Sequence, residues 1–165
     1  MTTTKGLEIR KFEKRDSKEV NNLISDIMNS EFSDVLGAYP TDDLENISDY
    51  YGKVGEAFFV ALMGESIVGS IGIKREDERT SLIRRIFVSP EFRGKKIGGQ
   101  LLEKALDFCK EVGYQELVFK TTSKMKDAIR LFENSGFHEK AHLKLGEIDL
   151  YKLTYFIREN SPYTR

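Results

Sequence analysis

The chain contains 165 residues, of which 26 are lysine or arginine and 27 are aspartate or glutamate, so its formal net charge is −1. This length favours a single domain, and the 11 phenylalanines and 7 tyrosines supply a real core, which excludes general disorder. Balanced charge excludes the basic excess typical of nucleic-acid binding. No apolar run is long enough to span a bilayer, and no signal peptide is visible, so we predict a cytoplasmic domain without membrane contact.

Few side chains in the sequence are suited to metal or covalent chemistry. The lone Cys109 excludes an intrachain disulfide and a multi-cysteine zinc site, and with only His138 and His142 we expect no metal centre. Cys109 shares the apolar face of a predicted helix, so we interpret it as a core residue rather than a nucleophile.

The first half of the chain reads as a strand, two helices and two paired strands. The strands lie at 7–12, 57–62 and 66–74. The first helix begins after Asp16, and the second ends at about Tyr51. Asp16 and Glu19 have the spacing of a capping box at the start of the first helix.

The second half alternates strands and helices and ends in a hairpin. The predicted elements lie at 80–88, 97–112, 116–120, 124–134, 137–145 and 147–156. Hairpins followed by strand–helix–strand crossovers predict an α/β fold with a mixed sheet and helices on both faces. We assign residues 1–157 to one domain and 158–165 to a polar tail.

The segment 89–99 joins a predicted strand to a helix start and has the composition of a phosphate-binding loop. Its glycines and cations are Arg93, Gly94, Lys95, Lys96, Gly98 and Gly99. Backbone amides at a helix start favour an anion, and glycines let the backbone approach it closely. The spacing matches neither a P-loop nor the dinucleotide fingerprint. An ordinary strand–helix turn with solvated lysines is the alternative.

Two segments together resemble a known family. Residues 84–98, RRIFVSPEFRGKKIG, resemble the acyl-CoA-binding signature of the GNAT superfamily of N-acetyltransferases, and residues 128–137, AIRLFENSGF, look like its A-I-x-L-Y-x-x-x-G-F motif. The resemblance implies a mixed, mostly antiparallel sheet of about seven strands. It also implies transfer of an acetyl group from acetyl-CoA to a primary amine of a small molecule or peptide, by direct attack on the thioester. A homodimer is common in the family.

The resemblance also implies which residues bind acetyl-CoA. They are Ile86, Phe87, Val88, Arg93, Gly94, Lys95, Lys96, Ile97, Gly98, Gly99, Ser123 and Phe132. In the family, the fourth strand bulges and separates from the next strand to leave backbone for the pantetheine arm.

The sequence departs from the family pattern at three of these positions. Lys96 replaces a glycine, which is acceptable if its φ is negative, and Ser123 stands where many relatives have asparagine. Phe132 replaces the tyrosine that often protonates the departing thiolate. A thiol pKa of about 8.5 makes that acid less important than a base for the amine, whose pKa is about 10.4.

The catalytic base is not readable from the sequence. Tyr39 and Glu147 are the candidates, with Glu31 and Asp149 further carboxylates on the substrate side, although a solvated role is favoured for each carboxylate. Arg84 and Arg85 should point to opposite faces of one strand, and pairing with a carboxylate is favoured over substrate binding. His142 is a proton-shuttle candidate with a favoured strand-surface role.

The missing tyrosine and the unidentified base also motivate a second hypothesis. In it the chain is a non-catalytic acyl-CoA-binding regulatory module.

Overall fold

Residues 5–157 are described by a computed structural model, and their strands form one seven-stranded sheet. The strands are β1 (Leu7–Lys11), β2 (Ala57–Met63), β3 (Ser66–Arg75), β4 (Thr80–Val88), β5 (Glu116–Thr122), β6 (His138–Leu145) and β7 (Ile148–Phe156). Their order across the sheet is β1-β2-β3-β4-β5-β7-β6, and only the β4–β5 pair is parallel. The predicted mixed, mostly antiparallel sheet is confirmed.

Helices cover both faces of the sheet, as predicted. They are α1 (Ser17–Glu31), α2 (Ile47–Tyr50), α3 (Ile97–Val112) and α4 (Lys126–Asn134). Buried side chains of α3 and α4 pack with Phe119 and Leu117 on one face, whereas α1 and α2 pack with Phe58 and Val60 on the other. Within residues 5–157 no helix combines the length and the apolar character that crossing a membrane requires. The predicted tail, 158–165, lies outside the described residues.

Asp16 is the N-cap of α1, as the spacing predicted, but the predicted capping box with Glu19 is wrong. A 3-10 turn, Lys14–Asp16, precedes the helix, and Asp16 Oδ2 accepts the Glu13 backbone N–H at 2.8 Å. The capping box therefore joins Glu13 to Asp16. Glu19 instead accepts the Ile67 backbone N–H at 2.8 Å and ties α1 to β3. Sequence spacing fits both arrangements, and tertiary contacts select between them.

Strands β4 and β5 pair only along their first residues and then separate. Their register ends at Ile83 opposite Phe119. Beyond that pair, β4 carries a bulge against β3 between Ser70 and Gly72, where Arg85 adopts a φ of +57°. We call the gap between the two strands beyond Ile83 and Phe119 the fork. It leaves the end of β4 without a partner on its β5 side, as the family resemblance implied.

Candidate functional site

A groove of about 710 Å³ runs along the end of β4 between the starts of α3 and α4. Nine residues that the sequence predicted as cosubstrate contacts line it: Ile86, Phe87, Val88, Arg93, Gly94, Lys96, Ile97, Gly98 and Gly99. The segment 89–99 thus lies on a cavity and is not merely a turn with solvated side chains.

The floor of this groove at α3 is a helix N-terminus with unengaged amides. The first amide to bond back into the helix is that of Gln100, which donates to the Lys96 carbonyl at 3.2 Å. The N–H groups of Ile97, Gly98 and Gly99 therefore have no partner carbonyl within the helix. With the positive end of the dipole of this 16-residue helix, they form a site suited to a phosphate.

Backbone geometry explains the glycines of this loop and corrects the expectation for Lys96. Gly94 has a φ of +80°, a conformation that costs glycine least. A Cβ on Gly98 would lie 3.3 Å from Leu131 Cδ2, so a side chain there would crowd α4. Lys96 has a φ of +65°, not the negative value expected from its side chain. Lys96 therefore adopts a left-handed conformation, which favours glycine and is uncommon for other residues.

Arg93 connects this loop to α1. Its guanidinium donates to both carboxylate oxygens of Glu31, at 2.8 and 2.9 Å, and its Nε donates to the Val88 carbonyl at 3.0 Å. Glu31 also lines the groove. The cation at the predicted phosphate position is therefore held by a carboxylate across the groove.

A second cavity, of about 430 Å³, lies on the other side of the fork, and we call it the acceptor cavity. It shares Ile86, Phe87 and Met125 with the groove, so the two cavities meet at the fork. Tyr39 lines the acceptor cavity, and its hydroxyl lies 2.8 Å from Thr122 Oγ1 and accepts the Thr122 N–H at 3.1 Å. A ligand threaded through the fork would reach both cavities.

Arg84 and Arg85 do not point to opposite faces, because the bulge changes the alternation of β4. Both guanidinium groups approach Asp43, Arg85 at 2.6 Å and Arg84 at 3.9 Å. Asp43 is fully buried, and Tyr51 also donates to it at 2.7 Å. Burial alone would raise the Asp43 pKa, but the bonds from Arg85 hold that pKa below its ordinary value. The expected pairing of an arginine with a carboxylate is therefore confirmed for Arg85.

Three predicted cosubstrate residues lie outside the lining of the groove. Phe132 is fully buried and stacks on Phe119 with ring centroids 3.9 Å apart. Ser123 Oγ accepts the Asp149 backbone N–H at 3.2 Å, and the Lys95 ammonium lies 5.9 Å from the centre of the Phe92 ring. Their contacts with a cosubstrate stay predictions.

The structure separates the candidate catalytic groups. Tyr39 lies in the acceptor cavity, whereas Glu147 lies in the exposed turn between β6 and β7 and lines neither cavity. Asp149 pairs with His142 at 3.1 Å, and that imidazole stacks on Tyr151.

The lone cysteine is buried, and the residue types that bind metals do not cluster in the described part of the chain. Burial raises the pKa of the Cys109 thiol to about 11, so this cysteine is a core residue, as predicted, and not an activated nucleophile. Residues 5–157 contain no group of three or more histidine, cysteine or acidic side chains arranged to hold a metal.

Sequence reasoning missed Asp43 and Met125. Asp43 lies 42 residues before Arg85, in a segment that resembled a helix start, and no local pattern connects the two. Met125, the residue just before α4, lines both cavities, and no motif in the sequence marks it.

The sheet forks between its two parallel strands, and the groove beside the fork ends at a helix N-terminus. These features define the class of fold that the two motifs predicted. The model of the acetyltransferase (GNAT) family matches residues 22–137. The chain belongs to the GNAT acetyltransferase family.

Curated relatives agree with this assignment. N-acetylaspartate synthetase from Danio rerio is 34% identical over 125 residues, which are 74% of this chain and 42% of that protein. N-acetyltransferase 8B from Homo sapiens is 30% identical over 61% of this chain and 46% of its own length. The chain thus spans less than half the length of these two relatives.

Solved structures share the whole fold. An acetyltransferase from Streptococcus agalactiae superposes with a TM-score of 0.82 at 25% identity, covering 93% of this chain and 99% of its own. The protein yncA from Salmonella typhimurium, solved with its cofactor acetyl-CoA, has a TM-score of 0.76 at 20% identity, covering 95% of this chain and 98% of its own.

Proposed function

We propose that the protein is a cytoplasmic N-acetyltransferase that moves an acetyl group from acetyl-CoA to a primary amine of a small molecule or peptide. The observation that carries the proposal is the junction of the groove with the acceptor cavity at the fork. Membership of the family and the bound acetyl-CoA of a protein with this fold support the choice of cosubstrate.

The residues present fit a coenzyme A thioester. The amides at the start of α3, with Arg93 and Lys96, would hold the diphosphate, because anions bind where amides and cations converge. Beyond Ile83, β4 has no strand on its β5 side, so Ile86, Phe87 and Val88 can bond an amide-bearing arm through their backbone. Bound acetyl-CoA would supply the acetyl group as an activated thioester.

In this proposal the acetyl group passes directly from the thioester to the amine. In that step the amine nitrogen forms a bond to the carbonyl carbon, the carbon–sulfur bond breaks, the amine loses a proton and the thiolate gains one. Deprotonating an alkylammonium of pKa about 10.4 at pH 7 costs roughly 4–5 kcal/mol. Tyr39 is the predicted catalytic candidate that lines the acceptor cavity, where it could exchange a proton with either reactant.

Acceptors enter, in this proposal, beside Tyr39 and the β6–β7 hairpin. The name N-acetylaspartate synthetase denotes an acetylated small molecule as the product of that relative, which supports a small amine as acceptor here.

Thiol release from acetyl-CoA tests the proposal. The protein is incubated with acetyl-CoA and a panel of amines, polyamines, amino acids and peptides, and acetylated products are identified by mass spectrometry. We expect thiol and product to appear in equal amounts with at least one acceptor. Tight acetyl-CoA binding without release across the whole panel would instead favour the non-catalytic module.

The loop assignment has its own test in Arg93→Glu. This change removes a cation and adds an anion where the diphosphate would lie, so we expect the Kd for acetyl-CoA to rise at least about tenfold by calorimetry. Arg79→Glu makes the same charge change at the opposite end of β4 and should leave the Kd unchanged.

A charge swap separates the two roles of Arg93. If Arg93 only anchors Glu31, the double variant Arg93→Glu with Glu31→Arg restores the ion pair and therefore the affinity. If Arg93 binds the diphosphate, affinity stays low, which is the result we expect.

A further inference from the structure

The acceptor cavity has a cationic lining that the composition of the chain does not explain. Acidic and basic residues are nearly equal in number overall, yet the cavity is lined by Arg84, Arg85, Lys120 and Lys152 and by no aspartate or glutamate among residues 5–157. Asp43, behind the lining, is bonded to Arg85 through both carboxylate oxygens. The four cationic side chains of the lining therefore carry more positive charge than Asp43 neutralises.

Two of these cations flank the fork. Ile83 and Phe119 form the last β4–β5 pair, and both pack into the core on the α3 and α4 face. Arg84 and Lys120 are the next residues on each strand, so their side chains leave the sheet on the opposite face, toward α2. Arg84 confirms this direction, because it donates to the Tyr50 hydroxyl at 2.7 Å.

Lys120 and Lys152 form a like-charge pair. They are directly opposite each other on β5 and β7, an arrangement that destabilises a sheet. Within residues 5–157 neither ammonium has a carboxylate at ion-pair distance. An anion between them would remove this repulsion.

Arg84 adds a planar donor to the same side. The Arg84 side chain is about one-quarter exposed, and its guanidinium lies 3.9 Å from Asp43, whose oxygens already accept from Arg85 and Tyr51. Further N–H donors of Arg84 thus remain for a ligand, and their planar, paired arrangement matches the two oxygens of a carboxylate.

We propose that the acceptor amine also carries a carboxylate, which binds between Arg84, Lys120 and Lys152. This inference rests on the proposed function and specifies its substrate class: amino acids and acidic peptides, as opposed to polyamines. Positive charge at the mouth of the fork attracts the carboxylate and repels a second ammonium, which orients the amine toward the groove.

Acceptor pairs that differ in one carboxylate test the substrate class. L-glutamate is compared with L-glutamine, L-alanine with L-alaninamide, and spermidine serves as the cationic acceptor. We expect the acid of at least one pair to have a kcat/KM at least tenfold above that of its amide, mainly through KM. The double variant Lys120→Gln with Lys152→Gln should bring this ratio near one, whereas Lys110→Gln, an exposed change on α3, should leave it intact. Equal use of acids and amides in both pairs, or preference for spermidine, overturns the proposal.

A binding measurement separates this inference from acetyl transfer. Succinate has two carboxylates and no amine, so its binding to the CoA-saturated protein, followed by ligand-observed NMR, needs no turnover. We expect succinate to bind, succinamide not to bind, and the double lysine variant to bind succinate at least tenfold more weakly without a lower Tm. Absence of succinate binding overturns the proposed carboxylate site. Succinate binding without thiol release from any amine would retain that site and overturn the proposed function.

Discussion

At the scale of single residues, the packing around Phe132 accounts for its departure from the family pattern. It stands where the family often has a tyrosine, yet its ring is fully buried, stacked on Phe119 and in edge contact with Phe137 at 4.9 Å. A phenylalanine suits this environment because it brings no polar atom that would need a partner.

Phe132→Tyr is therefore expected to destabilise the protein without accelerating thiol release. A hydroxyl added inside this aromatic cluster loses its hydration, which costs about 1–3 kcal/mol of unfolding free energy. Denaturant unfolding and initial rates measure the two effects, with Phe156→Tyr, at an exposed ring, as the control. A faster rate at unchanged stability would show that the hydroxyl reaches the thiolate.

Backbone conformation at Lys96 and Arg85 could not be predicted from residue type. Both have positive φ, which residues other than glycine rarely adopt. Arg85 is held there by its bonds to buried Asp43, which compensate for the strain. The positive φ of Gly94, by contrast, is one that its residue type favours.

At the scale of elements, the Glu31–Arg93 ion pair links the last residue of α1 to the loop before α3. Both side chains are partly exposed, so the pair contributes little to folding, about 0–1 kcal/mol. If the loop binds acetyl-CoA as we propose, the more consequential effect of the pair is competition, because a diphosphate at Arg93 would share this guanidinium with Glu31.

Glu31→Gln should consequently tighten acetyl-CoA binding. Removing the competing carboxylate leaves Arg93 free to pair with phosphate, and we expect the Kd to fall about two- to fivefold by calorimetry, with a larger effect at low salt. Asp26→Asn, which removes an exposed carboxylate of the same helix outside the groove lining, is the matched control. A weaker affinity in Glu31→Gln would indicate that the ion pair shapes the loop for binding.

At the scale of the whole molecule, Asp43 joins the segment before α2 to the bulge of β4. It receives bonds from Arg85 and Tyr51, so three separate parts of the chain depend on one buried carboxylate. The bulge opens the fork, so Asp43 supports the site from behind.

Low pH should weaken the bonds between Asp43 and Arg85. Because Arg85 holds the folded-state pKa of Asp43 below the ordinary value near 3.9, its contribution to stability is complete above about pH 4 and is lost as the pH falls through the folded-state pKa. At pH 7, Asp43→Asn should lower the unfolding free energy by about 3–5 kcal/mol, since Arg85 is left buried and unpaired. The variant should also lose less stability than the parent between pH 5 and about pH 2.

Urea unfolding at each pH measures both effects. Asp127→Asn, at a side chain that is 91% exposed, should change neither. An acid dependence of Asp43→Asn equal to that of the parent would assign the loss to other carboxylates, such as Asp16 beside Arg10.

The sequence by itself determined the order of elements, the two motifs and the glycine-rich loop before α3, because hydrophobic periodicity and glycine placement act over a few neighbouring residues. The bounds of β4 and α3 agree with prediction at every residue. Only the tertiary structure decided the bulge at Arg85, the pairing with Asp43 and the cations that face each other across β5 and β7. Those features join residues far apart in the chain, and burial and strand register, which no local pattern encodes, bring them together.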